Sequence, residues 1–159
     1  MNFRFNYSSY EKIILQIKKK TNPILFKDFK NQPCILIRHD IDLDPECAIK
    51  IAKIEAKLKI KSTFFFQIGC HTYNLLNYKN KEIVNYIKSL GHEIGLHFDV
   101  ENYSKLNLKK RFIFEKKILE NILNSKVKSV SLHAPSQNNL YPHFSGYINA
   151  YDKRLFNNK

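Results

Sequence analysis

The chain has 159 residues, 43% of them hydrophobic, and its 27 Lys and Arg against 14 Asp and Glu leave a net charge of +13. That length builds a core of ordinary domain size and that apolar fraction excludes a disordered chain, while no apolar run approaches the ~20 residues a membrane helix needs. The charge follows composition: lysines are spread along a chain also rich in Asn, Ile and Phe, and the one dense block, Lys18–Lys20, sits where a helix end suits cations, so no nucleic-acid partner is expected.

The N-terminus, "MNFRFNYSSYEKIILQIKKK", has no apolar block followed by small residues, so no signal peptide is read there. Cys34, Cys47 and Cys70 are odd in number and lack a CxxC spacing. They argue for a reducing compartment, and the expected location is cytoplasmic. Ser8 and Glu11 form a capping box before an amphipathic stretch reaching about Lys20, which predicts the first helix. Cys34–Ile37 reads as a buried strand that ends in Arg38-His39-Asp40. Asp44 followed by Pro45 is a helix start, with Cys47, Ile51, Ile54 and Leu58 at helical spacing behind it. "STFFFQI" (62–68) is the second strand. Ile83, Ile87 and Leu90 mark the next helix, closed by Gly91. "EIGLHF" (93–98) is the third strand, 105–124 a helix with Phe114, Ile118 and Ile122 on one face, and "VKSVSLHA" (127–134) the fourth strand.

Strands alternating with helices of this length predict parallel strands joined by right-handed crossovers. Ligands in such folds bind beyond the carboxyl ends of the strands. Asp40 and Asp42 end the first strand, His97 the third and His133 the fourth. A lone Asp there is usually a cap and a lone His a satisfied residue; their coincidence on one rim points to a metal or acid–base site.

The motifs "RHDID", "STFFF", "GHEIGLH" and "SLHAPS", in this order over about residues 34–150, resemble the polysaccharide deacetylase (NodB-homology, carbohydrate esterase family 4-like) superfamily. The closer likeness is to its branch with an Arg-His-Asp-x-Asp first motif from surface-polysaccharide gene clusters. The resemblance implies an α/β fold, a partial, distorted (β/α) barrel, and removal of N-acetyl groups with a bound divalent metal. Zinc is the first candidate, with iron, manganese or cobalt as alternatives. It implies Asp40 as catalytic base and Asp42 as metal ligand, the split that metal-activated water attack requires. His97 takes the first histidine place of the second motif, and Glu101 stands where the superfamily has a second histidine, so Glu101 or the nearer Asp99 could complete the site. Where the third motif has an Arg before Pro, this chain has His133 before Pro135. His133 could hold Asp40 ionised, bind the metal or donate a proton. His92 is expected to hydrogen-bond the turn, and His39, facing the other way from Asp40 along the strand, is expected to be structural.

Residues 1–159 are read as a single deacetylase-like domain lacking the C-terminal part of the barrel, since the superfamily continues into further strands where this chain ends in "YINAYDKRLFNNK". The exposed sheet edge then calls for a partner, a second copy or the C-terminal tail to cover it. The implied substrate is an N-acetylated sugar of a surface-polysaccharide precursor. The alternative is a degenerate relative that binds glycan or a partner without turnover.

Overall fold

The computed structural model describes residues 6–101, 107–137 and 139–156. Helix α1 (Tyr7–Lys20) is followed by a 3₁₀ turn (Phe26–Asp28), then β1 (Arg38–Ile41), α2 (Pro45–Lys57), β2 (Thr63–Phe66), α3 (Tyr78–Ser89), β3 (Glu93–Asp99), α4 (Leu108–Leu123), β4 (Ser129–His133) and the short β5 (Ile148–Asn149). The strands form one sheet in sequential order, β1-β2-β3-β4-β5, and every pairing is parallel. This is a partial (β/α) barrel.

Several boundaries differ from the sequence expectation for local reasons. The first strand is Arg38–Ile41 rather than 34–37, because β2 offers its first partner at Thr63, opposite Arg38. Before that point only Leu36 is bridged, to Ile24. Helix α1 is capped by Asn6, whose side chain accepts from the Ser9 amide at 2.9 Å, so Ser8 lies inside the first turn and is not the cap. Asp44 caps α2 as expected, accepting from the Glu46 amide at 2.8 Å, with Pro45 in the first position. The buried face of α2 is turned from the expected one: Pro45, Ala48, Ala52 and Glu55 point inward and Cys47 is exposed. The two alanines let the helix lie close on the sheet. In α4 the buried residues are Leu108, Phe112, Glu115, Leu119 and Leu123, and Phe114 is 57% exposed. Phe112 is fixed by a stack on Phe144, centroids 3.8 Å apart. Residues 105 and 106 of the expected helix lie outside the described residues. Gly91 ends the α3 region with φ +93°, the left-handed conformation expected of it.

Strand alternation gives the sheet two faces. Phe64, Phe66, Ile94, Leu96, Phe98, Val130 and Leu132 point to the helices and form the main core with Ala48, Ala52, Ile83, Ile87 and Leu119. The inner face is mostly polar; Phe65 packs there with Phe26 and Ala150, and Ile148 of β5, paired with Ser129, packs on the same cluster. At its lower end the 3₁₀ turn acts as a plug. The Phe26 amide donates to Thr63 Oγ1 (3.2 Å) and the Lys27 amide to Glu93 Oε2 (3.0 Å). Glu93, buried, also accepts from Thr63 Oγ1 and Ser129 Oγ, both at 2.8 Å. The other end of the inner face, at the carboxyl ends of the strands, carries the candidate site. After β5 the chain returns toward β1: Leu155 packs beside Leu36, and the Arg38 guanidinium lies 4.9 Å from the Tyr151 ring centre.

Candidate metal centre

Asp42, one residue past β1, meets two histidines at the strand ends. Its Oδ1 lies 3.0 Å from His97 Nε2 and 3.3 Å from His133 Nδ1, and those two nitrogens are 3.3 Å apart. Four donors around a tetrahedral zinc at ~2.0–2.1 Å would stand ~3.3 Å from one another, so the triangle has the size of three zinc ligands. Register explains the convergence. His97 and Ser131 pair across β3 and β4, and His133 ends β4 two residues later on the same face.

The tautomer of His97 suits ligation. Its Nδ1 lies 3.2 Å from the Ser131 carbonyl, which can only accept, so Nδ1 carries a proton and Nε2 faces the cluster, hydrogen-bonded to Asp42 Oδ1 and placed to exchange that proton for an ion. His97 is buried, and its ring is held edge-on to His133 at 5.2 Å between centroids. The Asp42 carboxyl is lowered to about 2, chiefly by the hydrogen bond with His97; burial pushes the other way, while the charges of His97 and His133 and the Gln67 amide add to the lowering. Asp42 is therefore an anion throughout the neutral range. These three residues fit a divalent ion, and they are the group of potential ligands that converges among the described residues.

Asp40 lies on the same face of β1, two residues before Asp42. Its Oδ2 is paired with Arg38 Nη2 at 3.2 Å and accepts from Ser131 Oγ at 3.2 Å. Its Oδ1 is buried with no hydrogen-bond partner among the described residues. Ser131 thus joins the two halves of the site, its hydroxyl on Asp40 and its carbonyl on His97.

The remaining candidates fall elsewhere. Asp99 is buried at the end of β3, and its Oδ1 accepts from the Glu101 amide at 2.8 Å; neither Asp99 nor Glu101 belongs to the converging group. His92 is buried, accepting from the Ser62 amide on Nδ1 (3.2 Å) and donating from Nε2 to the Ala52 carbonyl (3.1 Å), so it ties α2 to the start of β2. His39 faces the helices, with Nε2 2.9 Å from Glu55 Oε1.

Three residues of the site escaped sequence reasoning: Ser131, Arg38 and Gln67. Arg38 holds Asp40, the part His133 was one candidate to play, and the signal was present: Arg38 is two positions before Asp40 on a strand and shares its face. Gln67 Nε2 donates to Asp42 Oδ1 at 2.9 Å and lies 3.5 Å from His133 Nδ1. Its place just past β2, two residues beyond the inward Phe65, was the available clue.

No family model matches the sequence, and no curated protein sequence matches it. Solved structures do. The chain is similar to the chitin deacetylase from the fungal pathogen Colletotrichum lindemuthianum, with 18% identity and a TM-score of 0.55 over 87% of this chain and 62% of that one. It is similar to IcaB from Ammonifex degensii, with 14% identity and a TM-score of 0.54 over 82% of this chain and 68% of that one. It also resembles a mutant, with restored enzymatic activity, of a CE4 family pseudoenzyme from Bacillus anthracis, at 17% identity and a TM-score of 0.50 over 68% of this chain and 42% of that one. At such identities the likeness is one of fold: the chain is an α/β protein built as a partial barrel of the polysaccharide deacetylase type. It spans about two fifths of the length of the pseudoenzyme and about three fifths of the chitin deacetylase.

Proposed function

We propose that the chain is a metal-dependent N-deacetylase for an N-acetylated sugar of a surface-polysaccharide precursor, acting in the cytoplasm as one deacetylase-like domain. The observation that carries this reading is the triangle of Asp42, His97 and His133 beside a buried carboxylate, Asp40, with one oxygen free. A divalent ion held by the three residues, zinc first among candidates, supplies Lewis acidity toward the amide carbonyl and lowers the pKa of a water. The protein's own contribution lies in the acid–base groups. Arg38 and Ser131 occupy Asp40 Oδ2, which leaves Oδ1 to take the proton of the attacking water. The same proton is then available to the departing amine, so one carboxylate serves both steps. His133, with Nδ1 in the triangle, acts in this scheme as ligand and not as proton donor.

A second reading is a glycan- or partner-binding protein without turnover. It is favoured by the fold shared with a CE4 family pseudoenzyme. Two measurements separate the readings. Metal analysis of the purified protein should find about one divalent ion per chain, with most of it lost in both Asp42→Asn and His133→Ala. Acetate release from N-acetylated oligosaccharides should then fall ~10²–10⁴-fold in Asp40→Asn while the metal stays. Metal without any acetate release from wild type would favour the binding protein. Full metal in Asp42→Asn would refute the ligand assignment. Full metal in His133→Ala with acetate release lost would return His133 to the role of proton donor.

A further inference from the structure

The geometry points to Gln67 as a positioning residue that makes Asp42 a single-oxygen metal ligand, an inference that rests on the metal centre proposed above. The oxygen of Asp42 that faces both histidines is the one to which Gln67 Nε2 donates at 2.9 Å. A carboxylate oxygen has two lone pairs. With one directed into the triangle and the other held by the amide, Asp42 cannot swing its second oxygen toward an ion without breaking that bond. Single-oxygen ligation leaves further coordination positions open to water and substrate, as a catalytic site requires.

Gln67 is equipped for this task. It is 5% exposed, so its amide is not free to turn into solvent. Its backbone amide donates to Tyr73 Oη at 2.9 Å, and Tyr73 Oη donates in turn to the Ile41 carbonyl at 2.7 Å. Thr72 Oγ1 donates to the carbonyl of Asp42 itself at 2.5 Å. The segment 67–73 after β2 therefore grips the Ile41–Asp42 backbone at two carbonyls and the Asp42 side chain at one oxygen. The gripping group is also neutral. A carboxylate in its place would add a second negative charge beside the ion and blunt its pull on a carbonyl, whereas an amide orients the ligand and leaves the charge as it is.

The test is cobalt(II) binding to the full chain, read by visible absorption and by competition with a chelator, with wild type as reference. Gln67→Leu keeps the bulk and removes the donor. Its dissociation constant for cobalt should rise ~10–100-fold, the usual cost of losing an outer hydrogen bond to a ligand, and its spectrum should change while circular dichroism and the urea midpoint show a folded chain. Cobalt bound with wild-type affinity and spectrum would overturn the proposal. Should Gln67→Leu fail to fold, Gln67→Glu carries the test. It is isosteric but cannot donate at neutral pH, and it offers a fourth ligand atom beside one oxygen and two nitrogens, so a spectrum and affinity equal to wild type would again overturn the proposal. Failure of wild type itself to bind cobalt overturns the metal centre, and this proposal with it, which is a different result from a wild type and a Gln67→Leu variant that bind alike.

Discussion

Glu55 is fully buried on α2, and its carboxylate joins four parts of the chain. Tyr10 of α1 donates to Oε1 at 2.6 Å, His39 of β1 meets the same oxygen at 2.9 Å, and Ser62, before β2, donates to Oε2 at 2.6 Å. Three hydrogen bonds to a charged acceptor are worth ~1.5–3 kcal/mol each, so the gross loss in Glu55→Leu is roughly 4.5–9 kcal/mol. Part of it is recovered. Ser62 Oγ is 3.1 Å from His92 Nδ1, and Tyr10 Oη is 3.3 Å from His39 Nε2, so the hydroxyls have second partners, and the cost of burying a carboxylate is no longer incurred. The net destabilisation should be about 2–4 kcal/mol, with Glu55→Gln costing about half as much because it retains one acceptor oxygen. At ~2–4 °C per kcal/mol for a chain of this size, Glu55→Leu should melt roughly 5–15 °C lower. Urea unfolding at pH 7 is the assay, with the midpoint falling and the slope unchanged. The effect has a pH signature. Burial pushes the Glu55 carboxyl up, but the bonds from His39, Ser62 and Tyr10 outweigh it and hold it below its usual range. A lowered carboxyl contributes stability that is present above the ordinary glutamate value and lost as pH falls through the folded one, so the gap between wild type and Glu55→Leu should narrow in acid. An unfolding free energy that changes by less than ~0.5 kcal/mol at pH 7, or a gap that widens in acid, would refute this account.

Gly95 has no room for a side chain, since a Cβ there would stand 2.4 Å from two carbons of the Phe65 ring and 2.8 Å from Ser129 Oγ. Phe65 is itself pinned edge-on by Phe26, so Gly95→Ala should destabilise by about 1–3 kcal/mol, read as a lower thermal midpoint. Arg38→Met removes the guanidinium that lies over Tyr151 and pairs with Asp40 Oδ2, leaving Ser131 as the partner of that oxygen; acetate release should fall about tenfold or more through kcat, with metal content unchanged. Equal loss of metal in that variant would mean that Arg38 supports the whole rim and not Asp40 alone.

Element type was readable along most of the chain because helices and strands differ in hydrophobic period, and the order strand–helix–strand then implied a parallel sheet with its site at the carboxyl ends. Asp42, His97 and His133 were legible for that reason: each stands at or near the carboxyl end of a segment read as a strand, although β3 runs two residues past His97, to Asp99. Faces of helices were less legible. In α2 the sequence shows Ile51 and Ile54, but the sheet takes Ala48 and Ala52, because close approach rewards small residues that carry little hydropathy signal. β5 escaped notice because two residues, Ile148 and Asn149, make no pattern; they become a strand only by pairing with Ser129 and Val130. Arg38 and Gln67 escaped because charge and amide groups on a strand usually mean a solvated face, and only the closed inner face reverses that reading. The Asp99 and Glu101 alternatives came from spacing in the resemblance, while the turn in which Asp99 accepts from the Glu101 amide is a local choice that spacing does not reveal.

Sequential strand order has a consequence for how the molecule opens and closes. Each strand finds its neighbour through the next crossover, so every pairing in the sheet is a modest loop closure. The site is different in kind: Ser131 and Asp40, which share a hydrogen bond, are 91 positions apart along the chain. Three strand pairings must be in place before that bond can exist. The contacts of Ser131 and His133 with the β1 side of the rim therefore depend on all three pairings, and a fluctuation that detaches β4 alone erases the site while β1, β2 and β3 stay paired. Amide exchange should record this as protection at the rim lower than that of Phe64 or Leu96 at the sheet centre, a gradient written into topology and not into the strength of any bond.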